Sequence, residues 1–153
     1  MPEKRQPPTI QNRRAQHDYF VEERFEAGIA LAGTEVKSVR AGNVNLRDSH
    51  CKIEDLELWV YNMHIAPYEQ GNIWNLEPRR KRKLLMHRLE IRRLAVKYEQ
   101  RGLALIPLRL YFSGGYVKIE IGVCRGKKQY DKRQALAERD AERQKRQAEG
   151  SRE

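Results

Sequence analysis

Cysteine is nearly missing from this chain. Only Cys51 and Cys124 occur, far apart and without the short spacing of a metal site or a redox pair. A disulfide framework is therefore excluded, and buried thiols in a reducing cytosol are expected. Long apolar runs are missing too. None approaches the roughly 18 residues of a membrane span, so no membrane association is expected. Residues Met1 to Thr9 carry charge and proline but no apolar stretch, which argues against a secretory signal. Catalytic spacings are equally scarce. His17, His50, His64 and His87 share no HxxxH or HExxH pattern, and neither a GxGxxG after a strand nor a GxxxxGKS/T loop is present. Asp18, Glu22, Glu23 and Glu26 form an acidic cluster, but Arg24 sits among them, and spacing alone does not aim them at a shared ion. The chain reads as a non-enzyme with no metal and no cofactor.

Positive charge is what the chain has in excess. Among 153 residues, Lys and Arg number 31 against 21 Asp and Glu, a net charge of +10. Apolar residues make up 39% and charged ones 34%, too polar a mix to pack throughout. One core with solvated ends is expected, and a basic excess of this size points to a polyanion, in cytosol most commonly nucleic acid. Residues 1–17 read as a flexible basic arm, with Lys4, Arg5, Arg13 and Arg14 around Pro7 and Pro8. Residues 18–124 hold the apolar body. Residues 125–153 form a basic tail in which Leu136 is the only aliphatic side chain larger than alanine.

Within the body, Gly28–Gly33 reads as a short apolar strand. Thr34 follows as an N-cap, with Lys37 where a capping box wants Glu or Gln, and Val36 and Val39 share a face of a short helix that Gly42 stops. Cys51 and Ile53, then Leu56, Leu58 and Val60, alternate around a turn at Glu54-Asp55. Ala104, Ile106, Leu108, Leu110 and Phe112 alternate into Ser113-Gly114-Gly115. Val117, Ile119, Ile121 and Val123 then alternate with Lys118, Glu120 and Gly122. Such strict period two predicts a hairpin with one buried and one wet face. Residues 80–99 carry Leu85, Leu89, Ile91, Leu94, Ala95 and Tyr98 at helical spacing, with Gly102 as a stop. Strands in this number with one long helix suit a mainly β fold, a small barrel of the oligonucleotide-binding kind.

Arg79 to Arg101 contains ten Lys or Arg against Glu90 and Glu99. Two readings stand, a solvated helix face or a phosphate-binding strip; like charges packed this closely favour an anion between them. Tyr61, Asn62, His64, Tyr68, Asn72, Trp74 and Asn75 lie around it, stackers and amides of the type that RNA recognition uses, although each ring could equally be core. Trp59 also lies in a segment that reads as partly exposed. In the tail, residues 134–148 are good helix formers without an apolar stripe, expected to be disordered alone and to fold on an anionic surface. An inert charged tail is the other reading. Gly126-Lys127-Lys128-Gln129-Tyr130-Asp131-Lys132-Arg133, cations around one aromatic, is patterned beyond a linker.

Four stretches together resemble one family: Asn12-Arg13-Arg14-Ala15 with His17 and Tyr19; Glu26-Ala27-Gly28 through Gly33-Thr34-Glu35-Val36-Lys37-Ser38-Val39-Arg40; Asn62 through Pro67-Tyr68, Gly71-Asn72 and Pro78-Arg79 to Leu85; and Gly122 with Gly126-Lys127-Lys128 through Arg133. In this order they resemble the SsrA-binding protein family, small protein B of bacterial trans-translation. The resemblance implies a six-stranded oligonucleotide-binding-type barrel with flanking helices and a disordered tail. It implies a cytoplasmic, monomeric protein that binds the tRNA-like domain of transfer-messenger RNA and supports its charging with alanine, in the company of alanyl-tRNA synthetase. Delivery with elongation factor Tu to the A site of stalled ribosomes follows. The tail, Gly126, Lys127, Lys128, Tyr130, Asp131, Lys132 and Arg133 foremost, would enter the decoding centre and the empty mRNA channel as a helix, about 20 residues reaching about 30 Å. Family RNA contacts fall on Asn12, Arg14, Tyr19, Glu26, Lys37, Arg40, Leu85 and Lys118, Leu85 being core or contact alike. Tyr130 departs from the histidine of some relatives but keeps a flat ring. The rivals are a permanent rRNA-binding ribosomal module of the same fold and a small nuclease.

Overall fold

The structure, a computed structural model, describes residues 8–69, 75–99, 102–127 and 138–146. Nine strands and three body helices follow in the order β1 (Ile10–Gln11), α1 (Arg13–Asp18), β2 (Tyr19–Ile29), α2 (Gly33–Arg40), β3 (Val44–Asn45), β4 (His50–Glu54), β5 (Glu57–Tyr61), β6 (His64–Ile65), β7 (Arg82–Leu85), α3 (Arg88–Tyr98), β8 (Leu103–Ser113) and β9 (Tyr116–Gly126). The fold is mainly β. One antiparallel sheet runs β1-β8-β4-β5-β7-β2-β9, and β8 also pairs with β9; β3 and β6 make a separate small ladder. Leu58, Val60, Leu84, Leu105, Leu110, Ile119 and Ile121 fill the main core. Both thiols are buried, and burial pushes Cys124 up to about 11 and Cys51 higher still, so neither is a nucleophile at neutral pH.

The long hairpin is the element most legible in the sequence. Gly114 and Gly115 both take positive φ at its turn, a conformation that glycine adopts freely. Its faces differ from expectation, however. A bulge between Pro107 and Arg109 interrupts the register against β9. Pro107 has no N–H to give the ladder, and a bulge is where a strand tolerates that. The extra residue divides the predicted stripe. Leu105 and Leu110 enter the main core, whereas Ile106 and Leu108 join Ala15 and Cys124 in a second cluster beneath α1. Gly122, expected on the wet face, is buried there. A Cβ at 122 would lie 2.8 Å from Leu108 Cδ1, so Leu108 occupies the space a side chain would need.

Other expectations shift. Residues 10–17 are no free arm. Asn12 Oδ1 caps α1 by accepting from the Ala15 N–H at 3.2 Å, and Nδ2 donates to the Pro107 carbonyl at 2.8 Å, which seats the helix on β8. Residues 1–7 of the expected arm lie outside the described residues. Of the strand expected at Gly28–Gly33, only Gly28 and Ile29 lie in β2; residues 30–32 link it to α2, which begins at Gly33. The α2 cap is Ala32, not Thr34, because Glu35 closes the first turn by accepting the Ala32 N–H at 3.0 Å. The β4–β5 turn falls on Asp55-Leu56, both at positive φ. The helix expected over 80–99 begins only at Arg88; its first third is β7, which pairs with β5 and β2 and fills the gap between them.

The body also ends later than Cys124. Gly126 pairs with Tyr19, the Lys127 N–H donates to the Asp18 carbonyl at 2.8 Å, and the Lys127 ammonium lies 4.8 Å from the Phe20 ring centre. Beyond it, residues 138–146 form a fourth helix, exposed throughout, with Glu142 and Arg146 paired one turn apart. Good helix formers and that pairing favour the helix. Lys128, Tyr130, Asp131, Lys132 and Arg133 lie outside the described residues.

Gly122→Ala should lose about 1–3 kcal/mol in urea unfolding through overpacking against Leu108. Gly33→Ala, with no atom within 4 Å of its added Cβ, should be neutral or gain up to about 1 kcal/mol. Equal effects would mean that the close approach at Gly122 is not a packing constraint.

Candidate nucleic-acid interface

Three residues expected to meet RNA line one open depression of about 700 Å3: Glu26, Leu85 and Lys118. They come from three strands. Register explains the meeting. Gly28 of β2 faces both Leu85 of β7 and Lys118 of β9. A Cβ on Gly28 would stand 3.3 Å from the Leu85 Cβ, so the glycine lets β7 lie close. Leu85 is 54% exposed, which settles that it is not core. Lys118 sits on the outer face of β9, as its alternation predicts, and among the described residues it forms no ion pair. A neighbouring depression shares Gly28, Leu85 and Lys118 and adds Val36 of α2. Lys37 and Arg40 are exposed on α2, over the rings of Tyr68 at 5.3 Å and Phe112 at 5.6 Å.

Sequence reasoning missed the residue that orients Glu26. The Tyr111 hydroxyl donates to Glu26 Oε2. Burial first, and then this bond to a carboxylate, push the Tyr111 pKa up to about 12, so the phenol remains a donor at neutral pH. Glu26 itself lines the depression. Arg109 lies 4.6 Å over the Tyr111 ring and is itself held by Glu120 at 3.0 Å, which also binds Arg24 at 2.9 Å. The signal was in the hairpin: Tyr111 pairs directly with Lys118 across the ladder.

Arg14 and Tyr19 lie apart from this cluster, lining a different depression with His50, Lys52 and Tyr98. Asn12 is only 5% exposed and its amide is committed to the Ala15 N–H and to two carbonyls. In the free protein it supports the helix that carries Arg14. Among the described residues no group of three or more His, Cys, Asp or Glu is placed to hold a metal, and no helix is long and apolar enough to cross a membrane.

The platform beneath α2 is a buried ion network. Arg82 is 1% exposed and donates to Glu35 Oε2 at 2.6 Å, to the Met63 carbonyl at 2.8 Å and to the Pro78 carbonyl at 3.0 Å. Arg80 also binds Glu35. Burial alone would raise the Glu35 pKa, but hydrogen bonds from Arg80, the Ala32 N–H and Arg82 outweigh it and hold the carboxyl below its usual value.

Comparison with known proteins now becomes decisive. A family model described as SmpB protein matches residues 9–151. The chain belongs to the SmpB family. The SsrA-binding protein of Carboxydothermus hydrogenoformans is 63% identical over 134 residues, covering 88% of this chain and 90% of the relative. That of Desulfitobacterium hafniense is 61% identical over 133 residues, covering 87% and 85%. A solved chain from a structure described as "tmRNA-SmpB: a journey to the center of the bacterial ribosome" superposes with a TM-score of 0.69 at 52% identity, covering 84% of this chain and 94% of that one. The family resemblance read from the sequence is thereby shown.

Tyr111→Phe should weaken RNA binding by about 1 kcal/mol without changing its salt dependence, since no cation is lost. Combined with Glu26→Ala it should add little, because both act through one hydrogen bond; titrations across salt concentrations read both, and full additivity would separate Tyr111 from Glu26. Glu35→Gln should cost about 3–5 kcal/mol, as breaking a buried pair does. The depressed carboxyl pKa sets the sign with pH. Its stabilisation is complete above the unfolded carboxylate pKa of about 4.3 and is lost as pH falls through the lower folded value. The wild-type advantage over the variant in chemical denaturation should therefore shrink on acidification, and a gap that widened would contradict the network.

Proposed function

We propose that this chain is a non-catalytic RNA-binding protein of trans-translation that holds the tRNA-like domain of transfer-messenger RNA against the Glu26–Leu85–Lys118 depression. The observation that carries the reading is that cluster: a cation with no ion pair among the described residues, a carboxylate held by a phenol and an exposed leucine, brought together from three strands. Lys118 would neutralise a phosphate. Glu26 Oε1 would accept from a base edge or a ribose hydroxyl, and Leu85 would cover a sugar or base. Lys37 and Arg40 extend the positive rim, and Arg14 and Tyr19 offer a second contact. The ring of pairings β8-β4-β5-β7-β2-β9-β8 supports a six-stranded barrel closed on itself, of the oligonucleotide-binding type, which removes sheet edges. On this reading the protein acts as a cytosolic monomer, supports alanine charging by the synthetase, and is delivered with elongation factor Tu to the stalled A site. The tail from Lys128 onward would read the empty mRNA channel, and the helix at 138–146 agrees with the conformation that role needs.

RNA sequencing from the tagged, purified protein tests the substrate: one abundant structured RNA is expected, whereas stoichiometric ribosomes would favour the ribosomal module. The body itself supplies a sharper test. Lys118→Ala and Arg40→Ala should each weaken binding by about 1–2 kcal/mol and lower the salt slope by about one. Truncation after Lys127, the last described residue tied to the body, should leave the body folded and RNA affinity only modestly reduced, yet abolish tagging in a reconstituted stalled-ribosome assay. Normal tagging by the truncated protein would make the tail inert.

A further inference from the structure

The outer face of β4 and β5 carries a second set of groups that the reading above does not use. Along these strands Cys51, Leu58 and Val60 point into the core, which turns His50, Lys52, Trp59 and Tyr61 outward by alternation. His50 pairs with Tyr61 across the ladder and Lys52 with Trp59. The His50 and Tyr61 rings stack with centres 5.6 Å apart and planes 9° from parallel. The Lys52 ammonium lies 5.2 Å from the Tyr61 ring centre and that of Lys81 4.6 Å from the Trp59 ring centre. Trp59 and Tyr61 are half-buried and absent from the packed core, whereas Tyr98, Phe25 and Phe112 do lean on it. The rings therefore serve packing little.

We propose that this face is a stacking platform for unpaired RNA bases, with Trp59 and Tyr61 as the stacking rings and Lys52 and Lys81 as phosphate partners. Rings with interleaved cations are the chemistry by which sheet surfaces hold single-stranded or loop nucleotides. A lysine resting over an exposed ring is a weak contact; a base displaces it from the ring and leaves its charge beside the backbone phosphate. Lys81 also lies 3.8 Å from Glu54, so one cation of the pair is partly engaged. His50 and Lys52 line the same depression as Arg14 and Tyr19, which makes the platform continuous with that expected contact. The inference adds a site to the proposed RNA-binding role and rests on it only for the identity of the bound RNA.

Trp59 is one of two tryptophans, so a full-length Trp74→Phe background gives it a sole fluorescence signal. Titration with an unstructured decaribonucleotide should quench that signal saturably. Trp59→Ala and Tyr61→Ala should each weaken oligonucleotide binding roughly tenfold, the scale of one lost base–aromatic stack. Trp59→Phe should retain most of it, and Lys52→Gln with Lys81→Gln should lower the salt slope by up to about two. Melting curves establish that each variant is folded; if Trp59→Ala is not, Trp59→Phe, Tyr61→Ala and the lysine pair carry the test. A transcript of the tRNA-like domain and intact ribosomes, titrated separately, identify which RNA supplies the bases. Absence of quenching, or oligonucleotide affinity and slope unchanged in folded variants, overturns the platform. Lys118→Ala, measured on the tRNA-like domain, keeps that outcome apart from failure of the main reading.

Discussion

Arg82 is a guanidinium inside a small β structure, and the neighbourhood of the candidate interface is arranged around keeping it hydrogen-bonded. A buried cation without partners is costly. Here Glu35 supplies the countercharge, while the carbonyls of Met63, Pro78 and Arg80 take the remaining donors. The four partners belong to three parts of the chain: the first turn of α2, the segment after β5, and the approach to β7. One side chain thus ties α2 to the sheet and orders the path that leads into Leu85. Replacing such a network by apolar groups is often neutral for stability, so its value here is better assigned to placement. It sets where Lys37 and Arg40 project and where β7 presents Leu85.

Close approach is the second constraint. At Gly28 the missing side chain lets β7 lie close to β2, while β9 pairs along the other edge, so Leu85 and Lys118 both face this one residue. At Gly122 the missing side chain admits Leu108, and the bulge at Pro107 turns β8 so that both its faces are buried, one toward the sheet core and one toward α1. The second packed layer anchors α1, and with it Arg14 and Tyr19, to the hairpin that also carries Tyr111 and Lys118.

How much of this could be read from the residues alone follows from the range of each signal. The β8–β9 hairpin was legible because its pairing is local: alternating residues, two glycines, alternating residues. Lys118 on a wet face came from the same pattern. Local patterning also misled. Arg80–Leu85 lies next to a helix and contains no strand alternation that stands out, because one of its two inward residues is an arginine; only a partner 47 positions away, Glu35, makes Arg82 an inside residue. Asn12 read as a polar contact, since nothing in its vicinity foretells the Pro107 carbonyl 95 positions on. The bulge was hidden for a related reason. Ile106 and Leu108 continue an apolar alternation perfectly well, and the change of side becomes visible only once α1 is found covering the far face.

The charge excess takes on a different meaning once pairing is known. On the body, several acids are engaged: Glu35 with two arginines, Glu120 with Arg24 and Arg109, Glu57 with Lys83, Glu22 with Arg125 and Glu23 with Lys97. Exposed pairs of this kind add little stability. Their effect is to cancel field locally, so these paired acids oppose an approaching polyanion less. Of the cations that lie over rings, Lys37, Arg40 and Lys52 face no acid in an ion pair among the described residues, and neither does Lys118. Attraction therefore remains on α2, on the outer strands beside the Glu26 depression and on the aromatic face of β4 and β5. Glu26 differs in kind from the paired acids. It is held by a phenol instead of a cation, so on the proposed reading it places an acceptor among these cations and favours a ligand that brings a donor to that point.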